Sequence, residues 1–457
     1  MSASNPLHVV ILAAGRGTRM RTQRPKVLHA IAGKSMLKHI ASTAMHLGAD
    51  GIHVVVGHEA EQIQQSHIDL PINWVIQEEQ LGTGHAVLKA LPSIPKEARV
   101  LILSGDVPLT QLDTMQALSG IDASLVLLVA KLDNPTGFGR IIRDERGDVR
   151  AIIEEKDASP EQRQIHEIYT GLCCARASDL QRWLPSLSTQ NAAGEYYLTK
   201  IIELAVAEGQ KIASIEPEHL FEVQGVNNLD QLYQLERQWQ HHLAQRLMSG
   251  GVQIADVMRL DIRGQLTCAS DVFIDVNVVL EGVVSIGEHA QIGPNCVIKD
   301  CVIGQNVKIK AHSVLENAII GDYCEVGPFA RLRPGTQLGG YCKVGNFVEM
   351  KNVTMGEHSK ASHLSYLGDA QIGQHVNIGC GTITCNYDGV DKNPTIIKDH
   401  AFIGSDTQLV APVVVGEGAI IGAGTTLRED APDHALTLLP IRQKSILGWK
   451  RKSKLKT

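Results

Sequence analysis

SIGEHAQIGPNCVIKDCVIGQNVKIK, residues 285–310, returns to an aliphatic residue at six-residue steps: Ile286 and Ile292, then Ile303 and Ile309. The beat continues through Ile320, Val326, Leu332, Leu338 and Val344. It resumes at Ile372 and Ile378, and again at Ile397, Ile403, Leu409, Val415, Ile421 and Leu427. Glycine follows many of these directly, as in Ile286-Gly287 and Ile403-Gly404. A period of six is neither the 3.6 of a helix nor the 2 of a strand; it marks a stacked parallel β-helix. Each hexad offers one inward aliphatic side chain, and stacked coils bury these as a continuous column. A β-sandwich of short strands would not hold one register over so many repeats. Where the register breaks, the surplus residues must leave the coil as loops. The clearest break is TCNYDGVDKNPT (384–395), and a second irregularity spans 349–371.

Upstream the pattern is different. Short aliphatic runs at 8–15, 51–57, 73–77, 99–106 and 124–132 alternate with helical stretches such as 34–48 and 84–91. That alternation predicts a Rossmann-like α/β domain with a mostly parallel sheet, whose ligands sit outside the carboxyl ends of the strands. Leu229, Leu232, Leu235, Trp239, Leu243 and Leu247 place one amphipathic helix after it. The expected division is therefore 1–228, a linker helix 229–250, a coil domain 251–437 and a basic tail 438–457.

Composition narrows the function classes. A chain of 457 residues with net charge -6 presents no basic field for nucleic acid or an anionic membrane. The run VVILAA near the N-terminus is too short for a signal peptide, and no stretch approaches the roughly 20 apolar residues that span a bilayer. Nine cysteines without regular spacing or a CxxC pair fit reduced thiols in a cytoplasmic protein.

LAAGRGTRM (12–20) sets two glycines and two arginines directly after a strand, with Lys26 just beyond. Small residues there let backbone N–H groups approach a phosphate, while Arg16, Arg19 and Lys26 supply charge. Neither the Walker A spacing nor a third glycine of GxGxxG is present. With QEEQLGTGHA (77–86) and GDVP (105–108) following in order, this half resembles the sugar-phosphate nucleotidyltransferases. In the second half RLRPG (331–335), GNFVEMK (345–351), HLSYLGD (363–369), NIGCGTITCNYDG (377–389) and GSDTQLVAP (404–412) are similar to the hexapeptide acyltransferases. Together the halves resemble the bacterial bifunctional N-acetylglucosamine-1-phosphate uridylyltransferase / glucosamine-1-phosphate N-acetyltransferase family, with a role in envelope precursors.

The resemblance implies a left-handed parallel β-helix that works as a homotrimer, and two consecutive reactions. Glucosamine 1-phosphate takes an acetyl group from acetyl-CoA, and UTP then gives UMP to the N-acetylglucosamine 1-phosphate formed, releasing pyrophosphate. It implies Mg²⁺ on Asp106 and Asn227, with Arg19 and Lys26 neutralising phosphates. Nucleotide and sugar contacts fall on Leu12, Ala13, Ala14, Gly15, Gln77, Gly82, Thr83, Ser104, Gly105, Gly139, Glu154 and Tyr169. Tyr169 stands where the family commonly has Asn, and a phenol cannot make the paired contacts of an amide. Ser104 stands where Tyr is frequent. In the second half His363 is the expected general base, with Glu349 orienting it. Arg333, Lys351, Tyr366 and Asn377 fall to the acetyl acceptor. Cys380, Asn386, Tyr387, Ser405, Ala423 and Arg442 fall to acetyl-CoA, with Asn386 also facing the sugar. Direct transfer to an amine needs no acyl-enzyme, so Cys380 is read as an oxyanion-side backbone position, not as a nucleophile. Two rivals stand beside this reading: a nucleotidyltransferase whose coil only trimerises and regulates, and a sugar-nucleotide sensor without turnover.

Overall fold

A computed structural model describes residues 5–15, 17–57, 59–439 and 443–450. It divides into two compact units, Met1–Trp239 and Gln240–Thr457.

In the first unit, buried aliphatic runs form the parallel centre of a nine-stranded sheet. Leu7–Leu12 lies between Gly51–Val56 and Arg99–Ser104, parallel to both, with Leu12 opposite Ser104. The Gly-rich turn and the Ser-Gly-Asp turn therefore leave the same edge of the sheet, side by side. Helices Met36–His46, Thr83–Ala90 and Leu112–Gly120 supply covering layers, so the central strands Val9–Ile11 and Val100–Leu103 carry no exposed side chain. Four strands of this sheet escaped the sequence pattern: Gly139–Arg143, Val149–Ile153, Glu167–Arg176 and Ile212–Ile215. Glu167–Arg176 runs antiparallel between two members of the sheet and carries a register shift between Tyr169 and Cys173, with Gly171 at φ 87°.

The helix Leu229–Ser249 begins against Met20, Val226 and Phe221, where Leu232, Leu235 and Trp239 complete a small core of the first unit. Its second half belongs to the other unit, where Leu243 and Leu247 cover the bottom of the coil column and Gln240 donates to Ile262 O at 2.7 Å.

In the second unit every named strand pairing is parallel. An 11-stranded sheet forms one face, and a 15-stranded sheet covers two more. The larger sheet turns a corner through long strands such as Val278–Ile286, which pairs with Val297–Lys299 at one end and Val302–Ile303 at the other. One coil takes 17 or 18 residues, as the partners Val279, Val297, Val314 and Arg331 show. Three inward residues per coil follow, and Ile298 and Leu315 take the third place, six residues after Ile292 and Ile309. Corners use left-handed backbone at non-glycine residues, among them Tyr323, Tyr341, His358, His375 and His400. Their rings stack on one another at centroid spacings of 4.8, 4.8, 4.9 and 5.1 Å. The coil lengthens once: Ile383 pairs with Gln408, 25 residues on, because the loop from Asn386 to Pro394 leaves the prism there.

Candidate functional site

Each unit gathers a separate set of polar groups. In the first, the carboxyl edge of the sheet opens into a cleft of about 570 Å³ lined by Leu12, Ala13, Ala14, Gly15, Lys26, Gln77, Gly82, Thr83, Ser104, Asp106, Gln80 and Glu195. Two backbone links set its frame: Gly105 N donates to Leu12 O at 2.9 Å, and Val226 N donates to Asp106 O at 2.8 Å. The second link brings Asn227 to the end of the strand that carries Asp106, although 121 positions separate them. Ser104 Oγ donates to Asp106 Oδ1 at 2.6 Å and fixes the carboxylate plane. Lys26 Nζ then bridges Asp106 Oδ2 and Asn227 Oδ1, the latter at 2.7 Å. Arg19 Nη2 reaches the same Asn227 oxygen at 2.8 Å. Gly17, at φ 61°, makes this possible, since a Cβ there would lie 2.8 Å from Lys26 Cβ.

One wall is tied by Gln77, whose Nε2 donates to Gly82 O at 3.2 Å, and by Gln80, whose Nε2 donates to Ala14 O at 2.8 Å. Gly82 sits at φ 110° with Glu195 and Tyr196 so close that no side chain fits. Further along, Gly139, Glu154 and Thr199 gather. Thr199 Oγ1 donates to Glu154 Oε1 at 2.9 Å, and burial pushes the Glu154 carboxyl above the usual range, with Asp157 and Glu195 adding repulsion. Tyr169 pairs with Gly139 in the sheet, but its ring is 7% exposed and packs with Val129, Ile141 and Ile152. Its hydroxyl is turned to the Cys173 thiol, and burial raises both groups, Cys173 to about 12. The structure does not place Tyr169 among the residues lining the cleft.

In the second unit the coil repeat does the gathering. Asn346 pairs with His363, and the neighbouring partners Ala361–Ile378, Ile378–Ile403 and Ile403–Ile421 carry that position on to Cys380, Ser405 and Ala423. Five residues from five coils thus share one column. His363 Nδ1 lies 2.8 Å from Asn346 Oδ1. An amide oxygen only accepts, so Nδ1 carries the proton and Nε2 keeps its lone pair. Glu349, expected to orient this ring, instead accepts from Arg333 Nη1 at 2.8 Å.

On the adjacent face, Glu349 stands beside Tyr366, and Lys351 beside Gly368. A Cβ on Gly368 would fall 2.5 Å from Tyr366 Oη and 2.8 Å from Asn386 Nδ2, so this glycine leaves room for both. Asn386 and Asn352 both donate to Asp369, at 2.5 and 2.8 Å, which anchors the start of the ejected loop. That loop returns Lys392, bridged to Tyr387, against Lys351. The Lys392 ammonium, by hydrogen bonding and like charge, lowers the Lys351 pKa, with Arg333 adding to the effect. Two lysines and an arginine held together in this way form a seat for an anion. Asn377, by contrast, pairs with Lys360 and Phe402 on the 11-stranded face, apart from Arg333 and Lys351. Arg442 lies outside the described residues.

Residues 9–137 match the MobA-like NTP transferase domain, 262–363 the GMPPB C-terminal domain and 394–429 the six-repeat bacterial transferase hexapeptide. Bifunctional protein GlmU of Marinobacter nauticus is 54% identical over 452 residues, covering 98% of this chain and 100% of that protein. Bifunctional protein GlmU of Legionella pneumophila (strain Lens) is 54% identical over 457 residues, covering 98% and 99%. This chain belongs to the GlmU family. As a GlmU relative it is a bifunctional transferase, with nucleotidyl transfer in its first unit and acetyl transfer in its hexapeptide unit. Among the described residues no helix is long and apolar enough to cross a membrane.

Sequence reasoning missed five groups at these two sites: Gln80, Glu195, Thr199, Asn346 and Lys392. Asn346 had a legible signal, since it precedes His363 by one coil. Lys392 lies in the loop already singled out as a register break. Glu195 and Thr199 sit in GEYYLT (194–199), an irregular segment without period or motif.

Proposed function

We propose that the second unit transfers acetyl from acetyl-CoA to the amine of glucosamine 1-phosphate at the His363 column. The first unit then joins UMP from UTP to the N-acetylglucosamine 1-phosphate, releasing pyrophosphate. The observation that carries the reading is the pairing of an anion seat with a base of fixed tautomer in one unit, and in the other a cleft where Lys26 and Arg19 meet the convergent oxygens of Asp106 and Asn227.

In the acetyl step His363 Nε2 takes the proton of the attacking amine as its nitrogen bonds to the thioester carbonyl. Asn346 holds the ring so that Nε2 faces outward. Arg333, Lys351 and Lys392 bind the substrate phosphate, with Tyr366 beside the sugar. The backbone N–H at Cys380 faces the developing oxyanion, and the C–S bond then breaks to release CoA. Ser405 and Ala423 continue up the column as the coenzyme track, and Asn386 and Tyr387, at the start of the ejected loop, join them in holding the coenzyme. Asn377 lies on a different face of the coil column from Lys351, so a site using both needs a neighbouring copy. That supports a homotrimer of left-handed β-helices.

In the uridylyl step the nucleophile is already a phosphate anion, so no protein base is required. Positioning and cations lower the barrier. Asp106 Oδ2 and Asn227 Oδ1 converge on one point, now held by an ammonium, and a few-oxygen seat of this kind suits Mg²⁺. Bound there, Mg²⁺ would supply charge to the triphosphate. Lys26 and Arg19 neutralise phosphate oxygens, while Leu12 to Gly15, Gln77, Gly82 and Thr83 wall the nucleotide. Gly139 and Glu154, with Thr199, face the sugar. The protein acts in the cytoplasm.

Full-length Asp106→Ala and His363→Ala proteins test the assignment. Asp106→Ala should lose pyrophosphate release and keep CoA release, and His363→Ala should do the reverse. Either variant losing both activities in a folded protein, or neither, overturns it.

A further inference from the structure

Lys26 stands on both oxygens that the reading above gives to a divalent cation. Its ammonium contacts Asp106 Oδ2 and lies 2.7 Å from Asn227 Oδ1. Arg19 adds a second positive charge on the same Asn227 oxygen at 2.8 Å. Ser104 holds the other Asp106 oxygen at 2.6 Å, so the carboxylate cannot simply turn its free edge away. Backbone on both sides is fixed: Gly17 closes against the Lys26 stem, and Asn227 N donates to Gln231 Oε1 at 2.8 Å.

A dication entering this seat meets two cations already there, and like charges a few ångströms apart repel strongly in a half-buried cleft. The metal can reach its oxygens only if Lys26 leaves them. Lys26 leaves at low cost only when another anion is within reach of its four-carbon stem, and the triphosphate is that anion.

We propose, resting on the assignment of Asp106 and Asn227 as the metal seat, that Lys26 is a tethered counter-cation that blocks the seat in the free protein. It releases the seat when nucleotide phosphates arrive. Lys26 thereby makes metal and nucleotide bind cooperatively, each favouring the state the other needs. The free protein then does not hold a metal that would otherwise order the cleft without substrate.

Mn²⁺ is the probe, followed by its electron paramagnetic resonance signal with the full-length protein and no nucleotide. Lys26→Met removes the ammonium and keeps the apolar stem. It should bind Mn²⁺ at least about tenfold more tightly than the unmodified protein, and Lys26→Arg should stay as weak as the unmodified protein. Adding Asp106→Asn to Lys26→Met should abolish the gain. A second readout needs no Lys26 variant: acylation of Lys26 by acetic anhydride, read by mass spectrometry, should rise on Asp106→Asn.

If Lys26→Met binds Mn²⁺ no more tightly, or Lys26 acylation is unmoved by Asp106→Asn, the blocking role is wrong. The metal seat itself fails separately. That outcome is Mn²⁺ binding in the presence of UTP and N-acetylglucosamine 1-phosphate that is indifferent to Asp106→Asn.

Discussion

The two units assemble their sites by opposite means. In the α/β unit, Lys26, Asp106 and Asn227 meet because three connections happen to return to one sheet edge. In the coil unit, Asn346, His363, Cys380, Ser405 and Ala423 meet because a repeat of 17 or 18 residues, lengthened once to 25, stacks them. A site gathered by long-range topology depends on a few specific links, such as Val226 N to Asp106 O. A site gathered by repetition depends on every coil beneath it keeping its height. The two therefore fail differently.

The largest effect is expected where a coil cannot change height. Gly345 precedes Asn346, and a Cβ there would lie 1.8 Å from Ser362 O on the next coil. Gly345→Ala must push the coils apart under the His363 column. It should cost about 3 kcal/mol or more of stability in the coil unit and strip acetyl transfer. Pyrophosphate release should persist. Gly15→Ala is the counterpart in the other unit, since among the described residues nothing beyond its chain neighbours lies within 4 Å of the added Cβ. Thermal unfolding should be unchanged there, and any loss should appear only in nucleotide binding. Equal destabilisation by the two changes would break the contrast.

The α/β unit carries an acid sensitivity built into its sheet. His53 is 1% exposed, stacks on His8 with its Nε2 3.0 Å from His8 Nδ1, and its own Nδ1 has no hydrogen-bond partner among the described residues. Burial, reinforced by His8, pushes its pKa from 6.5 down to about 4. Between those values the unfolded chain takes up a proton that the folded unit refuses. Stability is full above pH 6.5, falls as the pH drops towards 4, and loses up to about 3 kcal/mol. Denaturant midpoints measured between pH 7 and 4.5 should show that slope in the first transition, and His53→Gln should flatten it.

Next comes the anion seat. Lys392→Ala should raise the KM for glucosamine 1-phosphate roughly tenfold to a hundredfold, as loss of a charged hydrogen bond costs about 1.5–3 kcal/mol. The KM for acetyl-CoA should rise less, because the Lys392 ammonium faces Lys351 and only its backbone bridges Tyr387. An equal rise in both would place Lys392 in coenzyme binding instead.

The same contrast explains what the sequence could say. Repetition is legible: Ile286, Ile303, Ile320 and Ile403 announced the coil, and the 384–395 break announced its loop. What stayed hidden was the coil length, because the step from Ile298 to Ile303 is five residues, not six, and interrupts the beat once in each coil. In the α/β unit the buried parallel strands were legible as aliphatic runs. Glu167–Arg176 was not, since its middle is the bulge at Thr170-Gly171 and its ends are charged. Motifs identified Asp106 and Lys26 one at a time. That the two touch, and that Tyr169 turns into the core, are outcomes of chain return and packing that no local pattern encodes.

The smallest effect is the most diagnostic for the column. If Asn346 fixes the His363 tautomer, removing its acceptor oxygen should let the ring sample the form with Nε2 protonated. It should also let the ring swing within its rotamer. One neutral hydrogen bond is worth about 1 kcal/mol, so Asn346→Leu should lower kcat for acetyl transfer by roughly fivefold. Neither KM should move, because Asn346 touches the base and not the substrates. Asn346→Asp keeps an acceptor in the same place and should restore most of the rate, whereas a purely structural role would tolerate Leu and resent the added charge. The outcome that sinks this role is Asn346→Asp being as slow as Asn346→Leu with both proteins equally stable. The imidazole would then be oriented by its coil alone, and the repeat, without help from any side chain, would set the base.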